Sequence, residues 1–84
     1  MRQRKHMGNR NLIGPNIAKI RQAKSFGQGE LVRLIQATGY SINQAKLSRI
    51  EGRKVSVTDK DILAIAQALN VNIDELFVHH HTQQ

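Results

Sequence analysis

The chain has 84 residues and a formal net charge of +7 at pH 7, which is enough for one small domain and excludes a multidomain architecture. The absence of cysteine excludes a disulfide framework and a thiolate zinc site. No apolar run approaches the ~20 residues of a membrane span, and the basic N-terminus is not followed by the apolar segment of a signal peptide. We therefore expect a soluble cytoplasmic protein with no membrane association.

The positive charge is concentrated in the first part of the chain. Residues 1–54 carry twelve Lys and Arg against two Glu, a net charge of +10, whereas residues 55–84 carry one Lys against four acidic residues, a net charge of −3. This asymmetry predicts one side that faces a polyanion, most commonly nucleic acid, and one side turned away from it. On charge alone an anionic membrane is an alternative to nucleic acid, but the cations are not confined to one aromatic-rich amphipathic helix, so we expect no membrane partner.

The first eleven residues contain four cations and only isolated apolar side chains, too few to offset the entropy of ordering. We expect residues 1–13 to form a flexible basic arm, which would either follow phosphates or make no specific contact. The Gly14-Pro15 pair then predicts a helix start, because proline in the first turn loses no hydrogen bond. This helix is expected over residues 15–24, with Ile17 and Ile20 on its buried side.

A second helix is predicted from Gln28 to about Thr38, followed by Gly39 in the left-handed position after a helix. Its apolar residues at helical spacing are Leu31, Leu34 and Ile35. Tyr40 and Ile42 in the following connection are expected to fill the core, because so small a helical domain has few other large side chains.

The segment Asn43–Gly52 predicts a third helix, with Asn43 as N-cap and Gly52 in the left-handed position at its end. Leu47 and Ile50 form a narrow apolar stripe. The other side chains face outward, namely Gln44, Ala45, Lys46, Ser48, Arg49 and Arg53. Glutamine can bond adenine, arginine can bond guanine and alanine can contact a thymine methyl group, so this face suits a major groove. Taken alone, the pattern is equally typical of a solvated amphipathic helix.

Two further helices complete an all-α bundle. Thr58 and Asp61 predict a capping box before a fourth helix that ends at a left-handed Asn70, and Asn72 with Glu75 predicts the same device before a short fifth helix. The carboxylates at these helix starts match the helix dipole and form no convincing acid–base pair, so we expect no enzymatic activity and no cofactor. Adjacent residues His79–His81 are expected to be a tail, not a metal site.

Four separated blocks resemble the Cro and phage-repressor type of helix-turn-helix domain, also called the xenobiotic-response-element family. The blocks are Ile17–Arg21, Gln28–Leu31, Leu47–Gly52, and Ile65–Val71 followed by Asp74–Phe77. The resemblance implies an all-α, five-helix, lambda-repressor-like bundle over residues 14–78, with a tail over residues 79–84.

Two features depart from the compact form of the family. Leu31 and Leu47 are sixteen positions apart, which lengthens the second helix or its turn, and Gly27 replaces the usual Ser or Thr.

The resemblance also implies residue roles. The expected DNA base contacts are Gln44, Ala45, Lys46 and Arg49, with a phosphate contact equally expected for Lys46. The expected DNA backbone contacts are Gln28, Asn43, Arg53 and Lys54, with Arg33 and Lys24 as weaker candidates. Arg21 and Glu51 would form a structural ion pair between the first and third helices. The dimer surface is expected from the charge distribution, at the less basic end of the chain. Its candidates are Val71, Ile73 and Phe77, with exposed parts of Leu69 and Leu76, for which burial in the core is at least as expected.

The resulting expectation is a sequence-specific double-stranded DNA-binding transcription regulator, a repressor that acts as a homodimer on a palindromic operator. Two alternatives stay open from the sequence. One is an antitoxin-like module that binds a protein partner and has secondary DNA binding. The other is a nonspecific nucleic-acid binder that relies on charge alone.

Overall fold

The computed structural model describes residues 13–77, and within this range all regular secondary structure is helical. The helices in chain order are α1 (Ile13–Ala23), α2 (Gln28–Ala37), α3 (Gln44–Glu51), α4 (Asp59–Leu69) and α5 (Ile73–Leu76). The predicted all-α, five-helix architecture is confirmed. The arm up to residue 12 and the tail over residues 79–84 lie outside the described residues.

Helix α1 begins two residues before the predicted start. Ile13 is only 2% exposed and packs in the core, and Gly14 is also buried. Pro15 is tolerated as the third helical residue because the amide groups of the first turn have no acceptor within the helix. Helix α1 therefore includes Ile13, the last residue of the segment predicted as the arm.

One apolar core joins all five helices. α2 packs against α3 and α4, α1 packs against α3 and α5, and α4 packs against α5. The buried apolar residues are Ile13, Ile17, Leu31, Val32, Ile35, Ile42, Leu47, Ile50, Ala64, Ile65, Ala66, Leu69 and Leu76. This arrangement holds α3 against both α1 and α2 while leaving its opposite side in solvent.

The buried face of α2 differs from the predicted one. Leu34 is 36% exposed, whereas Val32 is 7% exposed and packs with Leu31 and Ile35. Of the three apolar residues at helical spacing, Leu31 and Ile35 are buried and Leu34 is exposed. Because α2 contacts helices on two sides, its buried stripe is turned toward Val32 and not toward Leu34.

The connection between α2 and α3 has no regular secondary structure, and side-chain hydrogen bonds attach it to α2. Gln36 Nε2 donates to the Ile42 carbonyl at 2.8 Å, and Thr38 Oγ1 donates to the Ile35 carbonyl at 2.6 Å. Gly39 has φ +96°, as predicted for a residue following a helix. Ile42 is buried, while Tyr40 is half-buried with its hydroxyl directed to Asp61. These contacts set the position at which α3 begins.

Capping at the last two helices follows the prediction only in part. Thr58 Oγ1 accepts from the Asp61 amide at 3.1 Å and Asp61 Oδ2 accepts from the Thr58 amide at 3.0 Å, which confirms the capping box. Asn70 has φ 60°, which confirms the left-handed end of α4. Asn72 precedes α5, but its side chain makes no capping hydrogen bond, so the second capping box is wrong.

Helix α5 is a single turn, and contacts with the rest of the domain fix its position. Leu76 is fully buried, and its carbonyl accepts a 2.9 Å hydrogen bond from Nδ2 of Asn16 in α1. A helix of one turn has little stability of its own, since it closes few internal hydrogen bonds. The buried Asn16 side chain therefore supplies part of what fixes the C-terminal segment to the domain.

Candidate nucleic-acid interface

Helix α3 is the element on which the candidate site is built. Asn43 caps it, and its Oδ1 accepts from the Lys46 amide at 2.8 Å. Leu47 and Ile50 are both fully buried, so the inner side of the helix is a narrow apolar stripe. A helix of 8 residues has marginal stability alone, and this packing is what holds it in place.

The outer side of α3 is polar and open to solvent. Gln44, Ala45 and Arg49 are exposed, and Lys46 is half-buried. Their side chains offer an amide, a methyl group and two cations, which are the groups that bind base edges in a major groove. The structure thus brings the four predicted base-contact residues together on one helix, at its first turn and along its exposed side.

Arg21 and Glu51 fix the end of α3 to the end of α1. Arg21 donates from Nε to Glu51 Oε2 at 2.8 Å and from Nη2 to Oε1 at 3.0 Å, in a two-bond arrangement. A third donor, Nη1, bonds the Phe26 carbonyl at 2.8 Å. The hydrogen bonds to Glu51 raise the pKa of Arg21, and this effect exceeds the opposing effect of burial. The pair is enclosed, with 11% and 7% of the two side chains exposed.

Gln28, the first residue of α2, connects this ion pair to the outer face of α3. Its Nε2 donates to Glu51 Oε1 at 2.9 Å, and its Oε1 accepts a long 3.5 Å contact from Gln44 Nε2. The first turns of α2 and α3 therefore lie side by side, with the predicted backbone-contact residue Gln28 against the predicted base-contact residue Gln44. Sequence reasoning missed the bond from Gln28 to Glu51, since the two residues are 23 positions apart.

Helix α2 begins without a side-chain cap. Gly27 occupies the N-cap position and has no side chain to accept a hydrogen bond, while its own amide donates to Glu30 Oε1 at 2.8 Å. Only one half of a capping box is present there. The first amide groups of α2 consequently have no side-chain acceptor at the N-cap, and an anion is favoured at such a helix start by the helix dipole.

The C-terminal end of α3 carries two exposed cations, Arg53 and Lys54. Gly52 has φ −87°, and the left-handed residue is Arg53 with φ 62°, so the predicted left-handed Gly52 is wrong by one position. Lys54 donates its amide to the Arg49 carbonyl at 2.9 Å and Arg53 donates to the Ile50 carbonyl at 3.1 Å, which is the Schellman arrangement. A non-glycine residue in this conformation is strained.

A buried carboxylate that the sequence predicts only as a helix cap lies within ion-pair distance of Lys46, in the first turn of α3. Asp61 is fully buried, and it accepts from the Thr58 amide and the Tyr40 hydroxyl while facing Nζ of Lys46 at 3.9 Å. Burial raises the pKa of Asp61, but the hydrogen bonds from Thr58 and Tyr40 and the Lys46 charge together lower it below its ordinary value. The hydrogen bond that the Tyr40 hydroxyl donates to Asp61 raises the pKa of Tyr40.

A second surface is formed by the acidic C-terminal segment of the described residues, around α5. Ile73 and Phe77 are each 41% exposed, and Val71 is half-buried against the core. Leu69 and Leu76 are buried, in agreement with the core assignment considered for them. Two large apolar side chains therefore remain in solvent on the segment predicted to form a dimer contact.

Two features are absent from the part of the chain that the structure describes, a metal-binding cluster and a membrane-spanning helix. Within residues 13–77, no group of three or more histidine or acidic side chains is placed to hold a metal ion. None of the helices in that range has the length and apolarity that crossing a bilayer requires. The sequence His79–His81 lies outside the described residues.

Comparison with known proteins bears on the family of the chain. Residues 16–81 match the family model of the Cro/C1-type helix-turn-helix DNA-binding domain. A search of curated proteins and a search of solved structures give no match. The matched range contains most of α1 and all of α2 to α5, and it confirms the resemblance inferred from the four sequence blocks. The chain belongs to the Cro/C1-type helix-turn-helix family of DNA-binding domains.

Proposed function

We propose that this protein is a sequence-specific transcription regulator of double-stranded DNA, and that it acts as a homodimeric repressor. The observation that carries the proposal is the pair of faces on α3. The inner face is anchored by Leu47, Ile50 and the Arg21–Glu51 pair, and the outer face presents groups that bind base edges. A rigidly held helix with such an outer face suits insertion into a major groove.

In this proposal the first turn and exposed side of α3 contact the bases. Gln44 bonds an adenine, Arg49 bonds a guanine, and Ala45 packs against a thymine methyl group. The exposure of these three side chains in the free protein supports the assignment. Lys46 is assigned to the same surface, and its surroundings are considered separately below.

The backbone contacts flank the bases on both sides. Gln28 lies at the start of α2, where amide groups without a side-chain acceptor favour a phosphate oxygen, and Asn43 lies at the start of α3. Arg53 and Lys54 are exposed just after the end of α3. Contacts at these positions would set the depth and direction of the helix in the groove without specifying sequence.

Dimerisation is proposed through the acidic end of the domain, with Val71, Ile73 and Phe77 in the contact. The exposure of Ile73 and Phe77 supports this choice, because apolar side chains of that size gain most from burial. A two-fold symmetric dimer would present two copies of α3 to half-sites ~34 Å apart. Repression follows where such a site overlaps a promoter. We propose a cytoplasmic location, since a chain without cysteine suits a reducing compartment.

The proposal is tested by titrating the protein with a duplex chosen from a random pool and with a scrambled duplex, at several salt concentrations. We expect Arg49→Ala to weaken binding to the chosen duplex by ~1–3 kcal/mol and to affect the scrambled duplex much less. Arg33→Ala, which removes the same charge from an exposed position on α2, is the matched control and should affect both duplexes alike.

Equal losses on both duplexes for Arg49→Ala would contradict a base contact and would favour a nonspecific binder. A wild-type protein that binds neither duplex would contradict DNA binding by this surface altogether, and it would favour the protein-interaction alternative.

A further inference from the structure

Asp61 lies where three parts of the domain meet. Its carboxylate is fully buried at the start of α4, and its Oδ2 accepts from the Thr58 amide at 3.0 Å. Its Oδ1 accepts from the hydroxyl of Tyr40, in the connection before α3, and lies 3.9 Å from Nζ of Lys46. One carboxylate thus contacts the α2–α3 connection, the first turn of α3 and the start of α4.

The ammonium group of Lys46 lies 3.9 Å from Asp61 Oδ1, an ion-pair separation longer than a hydrogen bond, and it is open to solvent on its other side. Its side chain is 44% exposed, whereas the carboxylate facing it is completely enclosed. An ammonium group has three donors, so an interaction with Asp61 leaves donors directed toward solvent. Lysine has a long flexible stem, and a lysine without such a partner would move to any nearby phosphate.

We propose that Asp61 is a specificity-determining positioning residue that holds the Lys46 ammonium as a fixed donor toward base edges. This inference rests on the proposed function, because it requires α3 to lie in a major groove. Lysine can donate to the O6 and N7 acceptors of guanine, and a donor discriminates between bases only when its position is fixed. Of the two expectations for Lys46, base contact and phosphate contact, this proposal favours the base contact.

Tyr40 has a supporting part in the arrangement. Its hydroxyl donates to the oxygen of Asp61 that faces Lys46, so it fixes where the negative charge lies. The ionised form of the carboxylate is favoured because the hydrogen bonds and the Lys46 charge outweigh the effect of burial and lower the pKa of Asp61. The long connection between α2 and α3 therefore supplies a contact that acts on the outer face of α3.

The test is a double-mutant cycle on sequence discrimination, measured as the ratio of the dissociation constants for a scrambled duplex and for the duplex selected by the wild type. We expect Lys46→Met to lower this ratio about 5- to 100-fold. Asp61→Asn should lower it several-fold in the wild type and leave it unchanged in the Lys46→Met background. The ratio is used because a charge change that acts on all DNA alike cancels from it.

Asp59→Asn is the matched control, since it removes the same charge from an exposed position in the first turn of α4. It should change both dissociation constants alike and leave the ratio unaltered. Tyr40→Phe keeps the carboxylate and removes only the hydroxyl, so it provides a second series if Asp61→Asn does not fold. A smaller loss of discrimination, absent in the Lys46→Met background, is expected for it.

Undiminished discrimination in Asp61→Asn would overturn the inference. A loss that persists in the Lys46→Met background would also overturn it, because Asp61 would then act on the fold and not through Lys46. For Tyr40→Phe likewise, undiminished discrimination, or a loss of discrimination that persists in the Lys46→Met background, would overturn the inference. A wild type that does not distinguish any selected duplex from a scrambled one would refute the proposed function itself, and the inference with it.

Discussion

Arg21 and Glu51 are 30 positions apart in the sequence, yet two hydrogen bonds of 2.8 and 3.0 Å join them between α1 and α3. Enclosed charges of this kind are costly to separate, because the remaining partner keeps its charge without compensation. Since Gln28 also bonds Glu51, the pair determines the relative positions of three helices around the outer face of α3.

Glu51→Gln should therefore destabilise the domain by roughly 3 kcal/mol, near the lower end of the range for buried pairs because a small part of each side chain is exposed. Urea unfolding of the purified variant measures this change. Glu75→Gln, at an exposed position, is the control and should stay within about 0.5 kcal/mol of the wild type. Equal stability of the two variants would show that the ion pair contributes nothing to the fold.

Asp61 predicts a dependence of stability on pH with a defined sign. Its pKa in the folded protein lies below the ordinary value of 3.8, so the ionised carboxylate stabilises the fold above that value. This contribution is lost as the pH falls through the lower pKa of the folded state. Asp61→Asn should be less stable than the wild type at pH 7, and the difference should shrink below about pH 4. The stability of both proteins is measured by unfolding at several pH values. A difference in stability between them that stays constant or grows as the pH falls would contradict this explanation.

At the scale of the element, the end of α3 combines conformational strain with positive charge. Arg53 adopts φ 62° in the Schellman turn, where a glycine would fit without strain. Backbone strain of this kind persists when the residue serves another purpose, and a phosphate contact is the purpose proposed for Arg53.

Arg53→Gly should stabilise the domain by about 0.5–1 kcal/mol, because the relief of ~1–2 kcal/mol of left-handed strain exceeds the extra entropy of glycine in the unfolded chain. Thermal unfolding measures the gain, while DNA affinity should fall since a cation is removed. Lys54→Gly is the control, because Lys54 is the next residue and is not among those with positive φ. It should destabilise the domain, since glycine there relieves no strain and adds entropy to the unfolded chain. A loss of stability in Arg53→Gly would show that the conformation is not strained.

The helices were predictable from the sequence where their determinants are local. Asn43 as the cap of α3, the Thr58–Asp61 capping box and Asn70 at the end of α4 all follow from residue type and short spacing. The start of α1 was less predictable, since Pro15 is allowed anywhere in a first turn and burial of Ile13 decided the boundary.

The features that the sequence could not specify depend on distant packing. Val32 replaces Leu34 in the core because α2 lies between α3 and α4, an arrangement that no local spacing encodes. The meeting of Tyr40, Lys46 and Asp61 has the same origin, since a sequence places them on three separate segments. Local pattern thus predicted which residues of α3 face outward, but not the approach of Lys46 to the buried Asp61.

At the level of the whole molecule, charge is unevenly distributed along the chain. The cations of α3 and of the turn after it lie in the basic part of the chain, whereas the exposed Ile73 and Phe77 lie beside Asp74 and Glu75. In the proposed model the cationic segment approaches the polyanion, and the segment with Ile73 and Phe77 contacts a second copy of the chain. Dimerisation through α5 would keep the two α3 helices available to one DNA molecule.

Phe77→Asp should weaken self-association, because the dimer contact would have to bury an unpaired charge. Sedimentation of the wild type and the variant, alone and with a selected duplex, measures the effect. Leu63→Asp is the control, since Leu63 is 51% exposed on α4 and lies outside the proposed contact. A wild type that remains monomeric on its duplex, or a Leu63→Asp variant that loses association as fully as Phe77→Asp, would contradict the symmetric model.

Selection of bound fragments from a random duplex pool shows whether the outer face of α3 specifies a DNA sequence. We expect enrichment of a two-fold symmetric site with half-sites ~34 Å apart. Arg49→Ala should relax the preference at one defined position of each half-site. A pool without an enriched sequence after selection, or an Arg49→Ala variant that selects the same sequence with the same stringency, would show that this face does not specify sequence.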